Sequence, residues 1–419
     1  MKYAVITFGC RVNQADSLGF EEELRAAGAE AASPDHADLV VVNTCSVTAT
    51  ADQGARQTIR RVARGNPNAR IVVTGCYATR RPDDVRDLPN VLRVIPNDDK
   101  PQLIRLAGMT TAERFADGEG SCGSAIEPGV AGRTAFTLCV QTGCAESCAY
   151  CIIPTTRGTP RSVAPSAVLA EVDRIVSAGF KEIALTGVHL GSYGRDLMPR
   201  SSLAELLRAL DGRSARDVLL RLSSLEPMDC TSEIVDLVAA SGRFAPHFHL
   251  PLQHASDRVL ARMRRPYTIG GYSTLVDDIR ARMPAASIGS DVIVGFPGER
   301  DEDFEQLASY LERSPLTHVH VFPYSDRPGT EATSMDQKVP GAVVRGRGRR
   351  IREIGQRLTA RFRASQIGTV HRGLTLEDGS LVVTDNYLKV RIPPGRARNE
   401  WVSVKVTAAG ETMRGEITE

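Results

Sequence analysis

One tryptophan and an aromatic share of 5% leave this 419-residue sequence with few aromatic landmarks. It also lacks an excess of charge. The 52 basic and 50 acidic residues give a formal charge of +2, so no uniformly basic coat can hold a polyanion. Any contact with nucleic acid must therefore come from a local patch. No apolar run approaches the ~20 residues that span a bilayer. Met1-Lys2-Tyr3-Ala4-Val5-Ile6-Thr7-Phe8 is too short for a signal-peptide core and runs straight into Gly9-Cys10. These absences set the expectation of a cytoplasmic protein with no membrane partner. With 42% hydrophobic and 24% charged residues the chain reads as globular, long enough for roughly two to four domains.

Cysteine is not lacking. There are nine, an odd number in a long chain without secretory features, which argues against a disulfide framework and for metal binding or chemistry. Cys122 and Cys230 stand alone and read as structural. Cys139 falls inside a predicted strand and reads as a core residue.

Residues 1–112 alternate apolar runs with helical stretches, the pattern of an open parallel α/β sheet. The runs 3–7, 39–43 and 71–74 end at Gly9-Cys10, Thr44-Cys45 and Gly75-Cys76. Each cysteine thus sits past the carboxyl end of a strand, on the sheet edge where open α/β folds bind ligands. A first crossover helix is expected to start at Asp16-Ser17 and stop at Gly28. Residues 113–133 are rich in Gly, Ser and Glu without periodicity and read as a linker.

Residues 134–363 repeat a strand–helix unit. Strands are predicted at 136–140, 182–186, 218–223, 247–252, 288–294 and 318–322, with helices at 167–178, 203–210, 232–240 and 302–312. Six units imply a partial (β/α)6 barrel with its chemistry on the loops after the strands. Residues 345–363 form a basic helix with eight arginines and one acid, Glu353. It reads equally as a solvated face or a phosphate contact through Arg349 and Arg350. Residues 365–419 break into short strands at 381–384, 388–392, 401–406 and 413–417, a small β-barrel presenting Lys389, Arg391 and Lys405. Barrels of this kind often bind RNA.

The strongest motif is Cys144-Ala-Glu-Ser-Cys148-Ala-Tyr-Cys151. It follows a predicted strand and brings three thiolates onto one small object. A cubane iron–sulfur cluster needs four ligands, so three cysteines leave one iron open to an exchangeable ligand. Zinc is the blander reading, but zinc sites usually pair C-x-x-C units at a distance. Cys10, Cys45 and Cys76 converge on one edge as a second three-thiolate set.

The C-x-x-x-C-x-x-C run resembles that of the radical S-adenosylmethionine superfamily. Tyr150 matches its aromatic residue before the last cysteine. The resemblance implies a [4Fe-4S] cluster on Cys144, Cys148 and Cys151 whose open iron binds S-adenosylmethionine, with reductive cleavage to a 5′-deoxyadenosyl radical. Along nearly the whole chain the layout is similar to the methylthiotransferases. In them an auxiliary [4Fe-4S] cluster, here on Cys10, Cys45 and Cys76, takes part in sulfur delivery, and the terminal module resembles the RNA-binding TRAM domain. Asn43-Thr-Cys-Ser-Val-Thr48, Leu185-Thr-Gly-Val-His-Leu-Gly-Ser-Tyr-Gly194, Met263-Arg-Arg-Pro-Tyr-Thr268 and His318-Val-His-Val-Phe-Pro-Tyr-Ser325 most resemble the branch that modifies N6-threonylcarbamoyladenosine in tRNA. The other branches modify isopentenyladenosine in tRNA or a ribosomal-protein aspartate. The same resemblance implies tRNA as partner, an external electron donor and a sulfur source that it does not specify. Thr186, Gly187, Glu226, Gln253 and Asp291, at or near strand ends, are the expected S-adenosylmethionine contacts. Thr142 and His254-Ala255 depart from the family pattern beside that face. A zinc-bearing RNA-binding protein without catalysis is the alternative of another class.

Overall fold

The computed structural model describes residues 1–109, 128, 134–213 and 217–418. Cys122 and nearly all of the expected linker lie outside them. Five parallel strands come first: β1 Lys2–Thr7, β2 Glu30–Ala31, β3 Leu39–Thr44, β4 Arg70–Gly75 and β5 Val91–Ile95, in the order β2-β1-β3-β4-β5. The central strands β3 and β4 are rich in valine and covered on both faces, as parallel strands require. Helix α1 (Arg11–Ala26) sends Phe20 and Leu24 to one face, and α2 (Ala49–Gly65) sends Ala55, Ile59 and Val62 to the other. The Ala51 N–H donates to Thr48 Oγ1 at 3.1 Å and fixes the start of α2.

Helix α1 begins at Arg11 rather than at Asp16-Ser17. Cap-like residues are in its interior because tertiary partners satisfy them. Asp16 pairs with Lys100 and Arg157, and Ser17 Oγ accepts from Thr7 Oγ1 and Asn43 Nδ2. Gly28, with φ +78°, does end the unit as expected.

The second body carries six parallel strands: β6 Phe136–Thr142, β8 Glu182–Gly187 and β9 Leu219–Leu222 in one sheet, β10 His247–His249, β11 Ser287–Val294 and β12 His318–Pro323 in the other. A parallel bridge between Leu220 and Phe244 joins them into the expected partial barrel. A two-residue strand, β7 (Arg161–Ser162), is added antiparallel to β6. Strand β10 stops at His249, short of the expected 252, because Pro251 has no N–H for the ladder and Gln253 takes a left-handed φ of 63°. The main core lies between these strands and the surrounding helices.

The last five strands close a barrel in the order β13-β14-β15-β17-β16: β13 Val370–Leu376, β14 Leu381–Thr384, β15 Lys389–Arg391, β16 Trp401–Ala408 and β17 Met413–Thr418. Strand β13 escaped the sequence reading because His371, Arg372 and Gly373 interrupt its apolar run. The helix Gly341–Ser365 leads into this barrel and lends Phe362 to its core. Among the described residues no helix is long and apolar enough to cross a membrane.

Candidate active site

Cys10, Cys45 and Cys76 follow β1, β3 and β4, three neighbouring strands, and so share one edge. Two glycines make that edge. Gly9 has φ +90°, and a Cβ there would collide with the Cys45 side chain. Gly75 has φ +96°, and a Cβ there would meet the Thr44 backbone. Neither position admits an L side chain without displacing a cysteine-bearing strand. Cys45 and Cys76 are buried and Cys10 is exposed. Burial pushes the Cys45 thiol up to about 11, and the neighbouring Cys10 and Cys76 add to the rise.

Cys144, Cys148 and Cys151 occupy the loop between β6 and the helix Ile153–Arg157. Burial drives Cys151 up to about 12, and Cys148 and Cys144 contribute through their proximity. Thiols held this high are protonated at neutral pH, so loading a metal centre must release protons.

The donor chemistry of the two sets bears on what they can hold. Among the described residues, the one group of three His, Cys, Asp or Glu side chains with all ligand atoms within 4.8 Å is His249, Asp291 and His320. Within each set the thiols are near enough for mutual electrostatic coupling. Three thiol donors in each set match the protein ligands of a cubane iron–sulfur cluster with one open iron.

Around both sets stand residues that the sequence reading missed. Arg265 Nη1 donates to Cys148 Sγ at 3.1 Å while its other donors engage Glu226 and the Tyr267 hydroxyl. Glu226, expected to accept from a ribose, is thus already ion-paired. His189 Nδ1 lies 3.7 Å from Cys144 Sγ and its Nε2 2.6 Å from Asp229. Burial would lower the His189 pKa, but Asp229 and Cys144 outweigh it and lift it to about 10, so the ring is a cation at neutral pH. On the other edge Asn97 Nδ2 approaches Cys76 Sγ at 3.7 Å and donates to the Thr156 carbonyl at 2.7 Å. All of these supports come from tertiary contact and have no local sequence signal.

Two buried ion-pair groups close the seam between the sheet and the barrel. Asp16 lies 2.5 Å from Lys100 Nζ and 3.0 Å from Arg157 Nη2. Asp52 lies 2.6 Å from Arg80 and 3.0 Å from Arg327. The first group ties α1 to the helix that follows Cys151. The second ties α2 to the loop after β12. They hold the sheet against the barrel.

The remaining expected residues are placed as follows. Tyr150 packs edge-on against Phe296. Thr186 is buried at the end of β8 opposite Cys139, with Gly187 next to it. Gln253 bridges to Val292, and Asp291 bonds His249 at 3.1 Å. Thr142 ends β6, half-buried. His254 is fully buried and, driven by desolvation to about 3, is a neutral ring whose Nδ1 accepts from the Ser256 N–H. Cys230 is buried in the core, and Cys139 donates to the Gln141 carbonyl. Arg349, Lys389, Arg391 and Lys405 are exposed, but Arg350 is engaged bidentately by Glu305.

Comparison with known proteins fits this geometry. The Radical SAM superfamily model matches residues 138–311, and an uncharacterized protein family, UPF0004, matches residues 2–95. The threonylcarbamoyladenosine tRNA methylthiotransferase MtaB of Aquifex aeolicus is 36% identical over 93% of this chain and 96% of its own length. That of Bacillus subtilis is 35% identical over 92% and 88%. The chain belongs to the radical S-adenosylmethionine methylthiotransferase family. This family works with S-adenosylmethionine and two [4Fe-4S] clusters. A solved radical S-adenosylmethionine methyltransferase, TsrM from Kitasatospora setae, shares the fold at a TM-score of 0.56 and 17% identity, over 79% of this chain and 76% of that one.

In such an enzyme a cation beside a cluster sulfur favours the reduced, more negative state. Were the Cys144 set to hold one of the two clusters, His189→Gln would lower its potential by on the order of tens of millivolts. An EPR-monitored redox titration checks this, and a shift in the opposite sense contradicts it.

Proposed function

We propose that this protein replaces the C2–H of N6-threonylcarbamoyladenosine, beside the anticodon of tRNA, with a methylthio group. The observation that carries the reading is a chain with two three-cysteine edges that matches, over nearly its full length, relatives named for that reaction. In this reading residues 1–112 form the sulfur-delivering domain, residues 134–363 the radical domain and residues 365–419 a TRAM-like RNA-binding domain. Cys144, Cys148 and Cys151 hold one [4Fe-4S] cluster and Cys10, Cys45 and Cys76 the other. With S-adenosylmethionine bound, these cofactors supply the radical chemistry that a non-acidic C–H bond requires. The chain supplies placement and charge. Arg265 and His189 set the field at Cys148 and Cys144, Asn97 does so at Cys76, and the Asp16 and Asp52 groups hold the two edges in register. Thr186, Gly187 and Gln253 lie at or near the strand ends where the cosubstrate would be oriented, whereas Asp291 stands inside β11, engaged by His249. Electrons come from an external donor.

A relative named tRNA-2-methylthio-N(6)-dimethylallyladenosine synthase, from Corynebacterium efficiens, is 35% identical but over 85% of this chain and 71% of its own length. The threonylcarbamoyl reading therefore has the broader support. Mass spectrometry of tRNA nucleosides from a deletion strain tests it. Loss of 2-methylthio-N6-threonylcarbamoyladenosine is expected, and loss of the isopentenyl derivative instead would transfer the assignment.

Arg349, Lys389, Arg391 and Lys405 are assigned to tRNA phosphates, while Arg350 is already neutralised by Glu305. Affinity for tRNA should fall steeply with salt. Lys389→Ala and Lys405→Ala should each flatten the slope of log K against log salt by about one. Filter binding across a salt series measures this, and an unchanged slope in both would remove the terminal barrel from the interface.

A further inference from the structure

Inside the barrel, on strands β10, β11 and β12, His249, Asp291 and His320 bring one ligand atom each within 4.8 Å of the others. Asp291 and His320 are direct partners in the ladder, and His249 pairs with Gly289, two residues before Asp291. The three side chains therefore project to the same side from adjacent rigid strands rather than from loops. His249 Nε2 stands 3.1 Å from Asp291 Oδ1, already near the separation of two ligands on one small cation. Its other nitrogen, Nδ1, lies 2.7 Å from Ser224 Oγ. That hydroxyl can accept from Nδ1–H and so turn the Nε2 lone pair inward, the outer-shell support usual for a ligating histidine. His320 is exposed, and its ring nitrogens have no hydrogen-bond partner among the described residues. An Asp–His hydrogen bond alone would not need it.

We infer that His249, Asp291 and His320 form a binding site for a divalent transition cation, separate from the two cysteine sets. Two imidazoles and one carboxylate suit such an ion better than magnesium or calcium. Three protein ligands leave coordination positions open toward the lumen. The donor set carries one negative charge, so a bound divalent ion leaves a net positive centre there. An oxygen anion would complete it. Resting on the substrate reading above, that anion is the carboxylate of the threonylcarbamoyl group, which isopentenyladenosine lacks.

The test uses the full chain with its clusters loaded, equilibrated anaerobically by dialysis against Zn2+ alone, with zinc and iron counted together. Wild type should retain one zinc per chain that His320→Ala and Asp291→Asn bind on the order of 10–100-fold more weakly, at unchanged iron content. His320 is exposed and Asp291→Asn is isosteric, so folding is spared, and the iron count verifies it. Wild type and both variants retaining equal zinc, or none retaining any, overturns the site. In a second arm N6-threonylcarbamoyladenosine nucleoside, but not adenosine, should tighten zinc binding in the wild type. Zinc lost from the variants but indifferent to the nucleoside overturns the carboxylate ligand and leaves the cation site standing. The substrate assignment itself is read separately, from tRNA nucleosides.

Discussion

Cys45→Ala is expected to lower the iron content from about eight to about four per chain, abolish methylthio transfer and leave reductive cleavage of S-adenosylmethionine intact. Cys148→Ala is expected to lose the same amount of iron but to abolish the cleavage as well. The asymmetry follows from where the two sets are built. Cys10, Cys45 and Cys76 depend on β1, β3, β4 and the turns at Gly9 and Gly75, whereas Cys144, Cys148 and Cys151 depend on the loop after β6. Neither framework contains the other, so either set should load alone. Cys45 is buried, and alanine removes one sulfur atom without introducing charge, so the sheet should persist. Iron analysis with quantification of 5′-deoxyadenosine separates the two variants. If Cys45→Ala also lost the cleavage, the division of labour assigned to the sets would be wrong.

Asp16→Asn should loosen the seam by about 3–5 kcal/mol, because it leaves Lys100 and Arg157 buried without their shared anion. Burial opposes the charge on Asp16, but Lys100 and Arg157 more than reverse that and hold its carboxyl below the usual value. The sign follows. The contribution is complete above the unfolded carboxylate pKa of about 4 and is lost as pH falls through the depressed folded value. Burial outweighs pairing at Lys100 and lowers its amine, so the lasting cation of the group is Arg157. Hydrogen exchange should show faster opening of α1 and of the helix Ile153–Arg157 in the variant at neutral pH. The difference from wild type should begin to shrink below about pH 4, where the opened state takes up a proton on Asp16, and should vanish only as pH falls through the depressed value of the folded carboxyl. Equal protection in both proteins at pH 7 would mean that the seam is held by other contacts.

Much of this architecture is legible from local pattern. The apolar runs ending at Cys10, Cys45 and Cys76 announce buried parallel strands, and the strand–helix repeat of residues 134–363 announces the barrel. What escaped has a common cause. Arg157 meets Asn13 across 144 positions of sequence, and Arg265 meets Cys148 across 117. Only the fold makes such pairs. Asp16 and Ser17 resemble a helix start because short polar side chains do so wherever their partners are distant. The basic helix illustrates the same limit. Three of its arginines turn to acids on or beside the helix Asp301–Arg313, Arg347 to Glu299 and Asp301, Arg350 to Glu305 and Arg357 to Glu312. Counting charge along one segment cannot show that another segment neutralises it. Glu226, at a strand end, carried no sign that Arg265 would claim it.

The measurement closest to the central claim is an anaerobic reaction of the cluster-loaded chain with S-adenosylmethionine, reductant and tRNA carrying N6-threonylcarbamoyladenosine, followed by nucleoside mass spectrometry. The account predicts 2-methylthio-N6-threonylcarbamoyladenosine, formed by the wild type and absent with Cys45→Ala and with Cys148→Ala. Unmodified nucleoside from a wild-type protein that still cleaves S-adenosylmethionine would contradict it.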